Sequence, residues 1–156
     1  AQWMAQPANS ITASEILARR AYLDLAPEIV ERSLLGRFVL NGSGSEYRIP
    51  HCPEFFAGAA TFPWRSQALW IAEALARRTG ADAPHLRAAA RSAFRADLYR
   101  AALGPIGADL PGASEKLEGA LQHRTEVSST LGKLVLGPDR FFDGRVFDPV
   151  EADGVD

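Results

Sequence analysis

Residues 61–70 of the chain read TFPWRSQALW. Two aromatic side chains flank a proline, whose ring stiffens the backbone just before an arginine. Ser66 follows, and serine is a residue type that caps helices ahead of an apolar run. The stretch therefore predicts that Ser66 caps a helix that continues to about Thr79, where a glycine ends it.

The same stretch contains the groups that a small oxyanion requires. Arg65 carries a planar fork of N–H donors, and the helix start at Ser66 adds donors and a partial positive charge. Phe62 and Trp64 would supply flat apolar walls. Nitrate suits this set because a desolvated anion must be surrounded by donors. These four residues are the candidate ligand-binding residues, although they also fit a structural interpretation with the rings in the core and Arg65 on the surface.

Glycine and proline divide the rest of the chain into short helices and loops. Besides the segment after Ser66, helices are predicted from Thr12 or Ser14, from Pro27 to Gly36, from Pro84 to about Phe94 after an Asp82 cap, from about Ala96 to Leu103, and from Leu117 to Gln122. Short strands are predicted at 38–40 and 131–136, and Phe141, Phe142 and Phe147 are predicted as packing anchors of a final loop-like segment. The predicted fold class is mainly α with a few short strands.

Composition limits the function classes. The 156 residues fit one domain, and 47% apolar residues are enough for a core, which excludes disorder of the whole chain. A net charge of −2 gives no strong attraction to nucleic acid. One cysteine cannot form an internal disulfide, and no apolar run reaches the ~18–20 residues that a membrane-spanning helix needs, so we expect no membrane insertion.

The residue types that carry catalysis do not form a recognisable pattern. The sequence contains neither a glycine-rich phosphate loop nor a dinucleotide fingerprint. The three histidines are far apart, and His51 and Cys52 are adjacent residues whose side chains usually point apart. We therefore expect no enzyme, no catalytic residues, no metal and no cofactor.

A helix-turn-helix is the alternative from a different class. The spacing from Leu75 through Gly80 to Leu86 is similar to that of its turn. The arginines that would contact phosphates are Arg77, Arg78, Arg87 and Arg91. Ala81 fills the usual apolar turn position poorly, which favours an ordinary helical hairpin and no direct contact with nucleic acid.

Four segments, taken together, indicate a family. They are residues 22–36, residues 61–70, residues 94–100 (FRADLYR) and residues 137–149 (GPDRFFDGRVFDP). In this order they resemble elements of the nitrate/nitrite/bicarbonate solute-binding protein family. Ala96 stands where the family usually has proline. The chain resembles only the C-terminal part of such a protein, and residues 1–156 are expected to act as a single unit of it.

The resemblance implies a two-lobed α/β fold of the type II periplasmic-binding-protein kind, whose lobes close on the ligand. It also implies one of two partners, because the family includes receptors that deliver anions to an ABC permease and cytoplasmic sensors that hold an RNA-binding antiterminator. The location is periplasmic in the first case and cytoplasmic in the second, and it stays open.

The resemblance also bears on the ligand. In nitrate binders of the family, a basic side chain at the position of Arg65 contacts the anion, whereas bicarbonate binders tend to lack one. Nitrate or nitrite is therefore favoured, with a bicarbonate receptor as the alternative. Much of each lobe's sheet would come from other parts of the family's sequence, so we expect this chain to expose apolar surface and to form a homodimer.

Overall fold

Residues 62–70 of the stretch TFPWRSQALW begin the second of two compact units. The computed structural model describes residues 1–49 and 53–150. The two units are Ala1–Thr61 and Phe62–Asp156. The expectation that the whole chain acts as one unit of a larger protein stays a prediction.

Two helices form the body of the first unit. After a 3₁₀ turn at Pro7–Asn9, helix α1 spans Ser10–Ala18, and it begins earlier than predicted because this turn leads directly into it. Helix α2 spans Pro27–Leu34, as predicted from its proline at the first position. The buried residues of this pair are small or branched, namely Ala13, Ser14, Ala18 and Val30.

A two-stranded hairpin follows α2. Strand β1 (Arg37–Val39) pairs antiparallel with strand β2 (Glu46–Arg48), and Phe38 lies opposite Tyr47. The turn between the strands is held by the Asn41 side-chain oxygen, which accepts hydrogen bonds from the Ser43 hydroxyl and the Ser45 N–H. The sequence did not indicate β2, because all its residues are exposed and no apolar alternation marks it.

Helix α3 (Arg65–Thr79) begins the second unit, and the prediction of a helix in this region is confirmed. The predicted cap is wrong, because Trp64 occupies the N-cap position and Ser66 lies inside the first turn. At the other end, Gly80 adopts φ 71°, a left-handed conformation that glycine takes without strain, and its N–H donates to the carbonyl of Ala76.

Helix α4 (Ala83–Ala93) packs against α3, and helix α5 (Ala96–Leu103) follows it. The predicted cap of α4 is confirmed, since the Asp82 carboxylate accepts the N–H of His85 at 3.2 Å. Alanines on the facing sides of α3 and α4 permit a close approach of the two helices. The buried cluster consists of Ala68, Leu69, Ala72 and Ala90, and Leu86, Phe94 and Phe147 pack against it.

No helix lies between residues 108 and 150. Strands β3 (Thr125–Glu126) and β4 (Val135–Leu136) pair antiparallel, so the strand predicted at 131–136 is shorter than expected. The helix predicted from Leu117 to Gln122 is wrong. Glu118 instead exchanges both backbone hydrogen bonds with Phe147, at 3.0 and 2.9 Å, and this pairing holds the segment extended.

The described chain is mainly helical with four short strands, as predicted. None of its helices, within residues 1–49 and 53–150, combines the length and the hydropathy that crossing a bilayer demands.

Each unit leaves large apolar side chains exposed. They include Tyr22, Leu23, Ile29 and Leu40 in the first unit and Leu98, Ile106 and Phe142 in the second. The exposed apolar surface was expected, whereas the homodimer stays a prediction.

We predict that Leu69→Ala lowers the free energy of unfolding by about 2–5 kcal/mol, because Leu69 is 0% exposed and its loss leaves a cavity between α3 and α4. Leu75→Ala is the matched control on the same helix, where the side chain is 44% exposed. Urea denaturation followed by circular dichroism measures both changes. Equal losses for the two variants would contradict this description of the core.

Candidate functional site

Phe62 and Trp64, the two aromatic residues ahead of α3, are buried. Their rings meet edge to face with centroids 4.9 Å apart, and Phe62 makes a second edge contact with Tyr99 of α5 at 5.4 Å. Aromatic pairs in this geometry add to the stabilisation that burial gives. The two rings therefore form a rigid wall beside the start of α3.

Arg100 of α5 contacts both Phe62 of this aromatic pair and residues 111–114. Its guanidinium carbon lies 4.9 Å from the centroid of the Phe62 ring. Its nitrogens donate to the Ser114 hydroxyl at 2.8 Å and to the carbonyls of Pro111 and Ala113 at 2.9 and 2.7 Å. Arg100 belongs to the FRADLYR segment, but only the long-range contacts reveal this role.

Ser66 belongs to a buried polar network at the first turn of α3. The side chain is completely buried, and its hydroxyl donates to Oε1 of Glu118 at 2.6 Å. The same hydroxyl accepts the backbone N–H of Lys116 at 3.2 Å. The Ser66 hydroxyl is therefore already occupied by two partners of the chain itself.

Lys116 links the carboxylates of this network. Its Nζ lies 2.6 Å from Oε2 of Glu118, pairs with Oδ2 of Asp139, and lies 5.8 Å from the centroid of the Trp64 ring. The other Asp139 oxygen accepts the N–H of Leu121 at 2.8 Å. Every charged group here has a partner of opposite charge, which a buried ion needs to be tolerated.

Arg65 differs from its neighbours because one donor of its side chain, Nε, has no hydrogen-bond partner. Its backbone N–H donates to the Ser114 carbonyl at 2.9 Å. Its Nε atom is buried, and it is the one buried side-chain nitrogen or oxygen in residues 1–49 and 53–150 that lacks a hydrogen-bond partner. An orphaned guanidinium donor costs free energy and is a position where an acceptor would bind favourably.

The electrostatics at the beginning of α3 follow from these contacts. The partial positive charge of the helix N-terminus is faced by the Glu118 carboxylate through Ser66. Lys116 is shared between two carboxylates. Arg65 is therefore the cation here with a donor that lacks a partner.

The structure also bears on the predictions about histidine, cysteine and the helix-turn-helix arginines. His51 and Cys52 lie outside the described residues. Within the described part of the chain, no cluster of His, Cys, Asp and Glu side chains has the arrangement to hold a metal.

Two of the four helix-turn-helix arginines form ion pairs within the chain, since Arg87 pairs with Glu73 at 2.6 Å and Arg91 lies 3.6 Å from Glu115. The Arg87–Glu73 pair joins α4 to α3, as expected for an ordinary helical hairpin.

No protein-family model and no curated protein sequence matches the chain. Its fold is similar to that of the periplasmic nitrate-binding protein NrtA from Synechocystis PCC 6803, with a TM-score of 0.70 and 19% sequence identity. The similarity covers 98% of this chain and 36% of the NrtA chain. The chain therefore has the fold of a part of a two-lobed periplasmic-binding protein, and this neighbour is a binding protein rather than an enzyme.

Sequence reasoning missed the network that surrounds the predicted site. Glu118, Lys116, Asp139 and Arg100 were not candidates, although they position Phe62, Trp64 and Ser66. One signal was present, because the chain has lysine only at positions 116 and 133, and Lys116 stands between two glutamates. A lysine between acidic residues, in a chain that otherwise uses arginine, indicates a specific ion pair.

We predict that Glu118→Ala lowers the free energy of unfolding by about 3–5 kcal/mol, since it leaves the buried Ser66 hydroxyl without its acceptor and leaves Lys116 with Asp139 alone. Glu118→Gln keeps an acceptor for the Ser66 hydroxyl and should cost less. Glu126→Ala, at an exposed carboxylate of β3, should change the stability by at most about 0.5 kcal/mol. Thermal and urea unfolding of the three variants test this order, and a Glu118→Ala loss no larger than that of Glu126→Ala would refute it.

Proposed function

We propose that this chain is part of a protein that binds a small oxyanion, nitrate or nitrite, and that Arg65 contacts the anion. The observation that carries the proposal is the buried Nε of Arg65 without a partner. A guanidinium presents its N–H groups in one plane, and an oxyanion accepts two of them side by side. An anion at this position would remove the cost of the orphaned donor.

The other three candidate residues have positioning roles in this proposal. Phe62 and Trp64 form the rigid wall that precedes Arg65, and this wall limits the freedom of the arginine backbone. Ser66 holds the first turn of α3 through Glu118 rather than offering its hydroxyl to the ligand. The anion would therefore contact Arg65 and the donors of residues beyond this chain.

The similarity to NrtA, which is named as a nitrate-binding protein, supports this class of ligand. Delivery of the anion to an ABC permease is one proposed role, and control of an RNA-binding antiterminator by a cytoplasmic sensor is the other. Both use the same ligand and no catalysis. A leader peptide on the intact protein would favour the first.

Isothermal titration of the full-length protein with nitrate, nitrite and bicarbonate tests the proposal. We expect saturable binding of nitrate or nitrite and weaker binding of bicarbonate. Arg65→Ala should weaken nitrate binding by about 2–4 kcal/mol, because it removes a charged donor from a partly buried position. Arg65→Lys should restore only part of the affinity, since an ammonium lacks the planar fork.

Arg78→Ala is the matched control, an arginine in the last turn of the same helix. It should leave nitrate affinity unchanged. Unchanged nitrate affinity in Arg65→Ala would refute the assignment of Arg65. Tighter binding of bicarbonate than of nitrate would favour the bicarbonate receptor instead.

A further inference from the structure

A second feature of unit Phe62–Asp156 lies on the outer side of α3. Trp70 of α3 stacks on Phe141, with ring centroids 4.9 Å apart and planes inclined by 15°. The two rings line an open pocket of about 320 Å³, which Arg77, Phe142 and Arg145 also line. A pocket of this size can accommodate one large apolar side chain.

The loop beside this pocket, residues 141–147, is held firmly. The Gly144 N–H donates to the Phe141 carbonyl at 3.0 Å and closes a turn, and Phe147 exchanges backbone hydrogen bonds with Glu118 at the far end. The loop also lies directly on Gly119, where an added Cβ would come within 2.7 Å of the Arg145 carbonyl oxygen. Gly119 has φ 85°, so glycine is required there both for conformation and for space.

Phe142, at the tip of this loop, is fully exposed. The sequence suggested that it is a packing anchor, which is wrong, whereas Phe141 stacks on Trp70 and Phe147 packs on the α3–α4 core. A fully exposed phenylalanine beside an aromatic pocket offers apolar area that association with a partner would remove from water. Because the loop is already ordered, a partner would lose little conformational entropy on binding it.

Charges around the pocket indicate the kind of partner. Arg77 forms no ion pair with any residue of the described chain. Arg145 is 84% exposed, and its Nε lies 3.5 Å from Asp143, which is a weak surface pair. The rim thus carries two arginines and one aspartate around an aromatic floor. Arginine and large aromatic residues are the types that dominate binding energy in protein interfaces.

We propose that the pocket and the loop 141–147 form a docking site for an acidic segment of a partner protein that carries one large apolar anchor residue. The anchor enters beside the Trp70–Phe141 stack and covers Phe142. Carboxylates on either side of the anchor pair with Arg77 and Arg145. This site is separate from the proposed anion site at Arg65.

The test uses the full-length protein and a short dye-labelled peptide in which one Phe is flanked on both sides by Asp and Glu. Fluorescence anisotropy should show saturable binding that weakens as salt is raised. Arg77→Glu and Phe142→Ala should each weaken binding at least about tenfold. Arg78→Glu, an adjacent arginine that does not line the pocket, is the matched control and should have less than about a threefold effect.

Four results would overturn the proposal. They are no binding at low salt, an equal loss in Arg77→Glu and Arg78→Glu, unchanged affinity when the peptide's Phe is replaced by Ala, and equally tight binding of phenylacetate, which would indicate a small-molecule site. Phe142→Ala removes a fully exposed side chain, so its unfolding transition should match that of the wild type. Nitrate titration of Phe142→Ala should also be unchanged, which separates this proposal from the one at Arg65.

Discussion

The buried carboxylate of Glu118 is the group on which the second unit depends. One oxygen accepts the Ser66 hydroxyl and the other pairs with Lys116, while the backbone of the same residue pairs with Phe147. These contacts join the first turn of α3 to two distant parts of the chain. If one partner of a buried carboxylate is replaced by an apolar residue, the polar groups that remain lose a hydrogen bond or a counter-charge. Such a replacement is therefore destabilising. The beginning of α3 is therefore fixed from outside the helix, and the usual side-chain cap is absent.

This arrangement explains why the TFPWRSQALW stretch is only partly available for a ligand. Phe62, Trp64 and Ser66 are the side chains through which the later segment attaches, so their burial serves packing. Arg65 is next to them in sequence but points its Nε to a place where the described chain supplies no acceptor. Rigid neighbours and one unsatisfied donor are what a preorganised binding residue requires, because little reorganisation accompanies binding.

Local signals in the sequence predict where most of the helices lie. They do not predict the long-range contacts that hold the helices to the rest of the unit. Proline and glycine marked α2 and the end of α3, and Asp82 marked the beginning of α4, since each acts through its own backbone or the next turn. The segment 117–122 is predicted as a helix with Ser114 as its cap. Its real conformation depends on Phe147 and Asp139, which lie more than a dozen residues away. Ser66 was misread as a cap for the same reason, because its partner Glu118 is remote in sequence.

The balance of charge near α3 also limits what an anion at Arg65 can be. Lys116 is shared by Glu118 and Asp139, so these three groups together carry one negative charge rather than a positive one. The Glu118 carboxylate also faces the N-terminal partial charge of the helix. Arg65 is then the available cation, and its single charge balances a single negative charge. A second charge on the ligand would face the excess carboxylate, while the guanidinium of Arg100, beside Phe62, already donates to the Ser114 hydroxyl and to two backbone carbonyls. The proposed ligands nitrate and nitrite each carry one charge and satisfy this condition, whereas a doubly charged oxyanion would need additional donors from elsewhere in the protein.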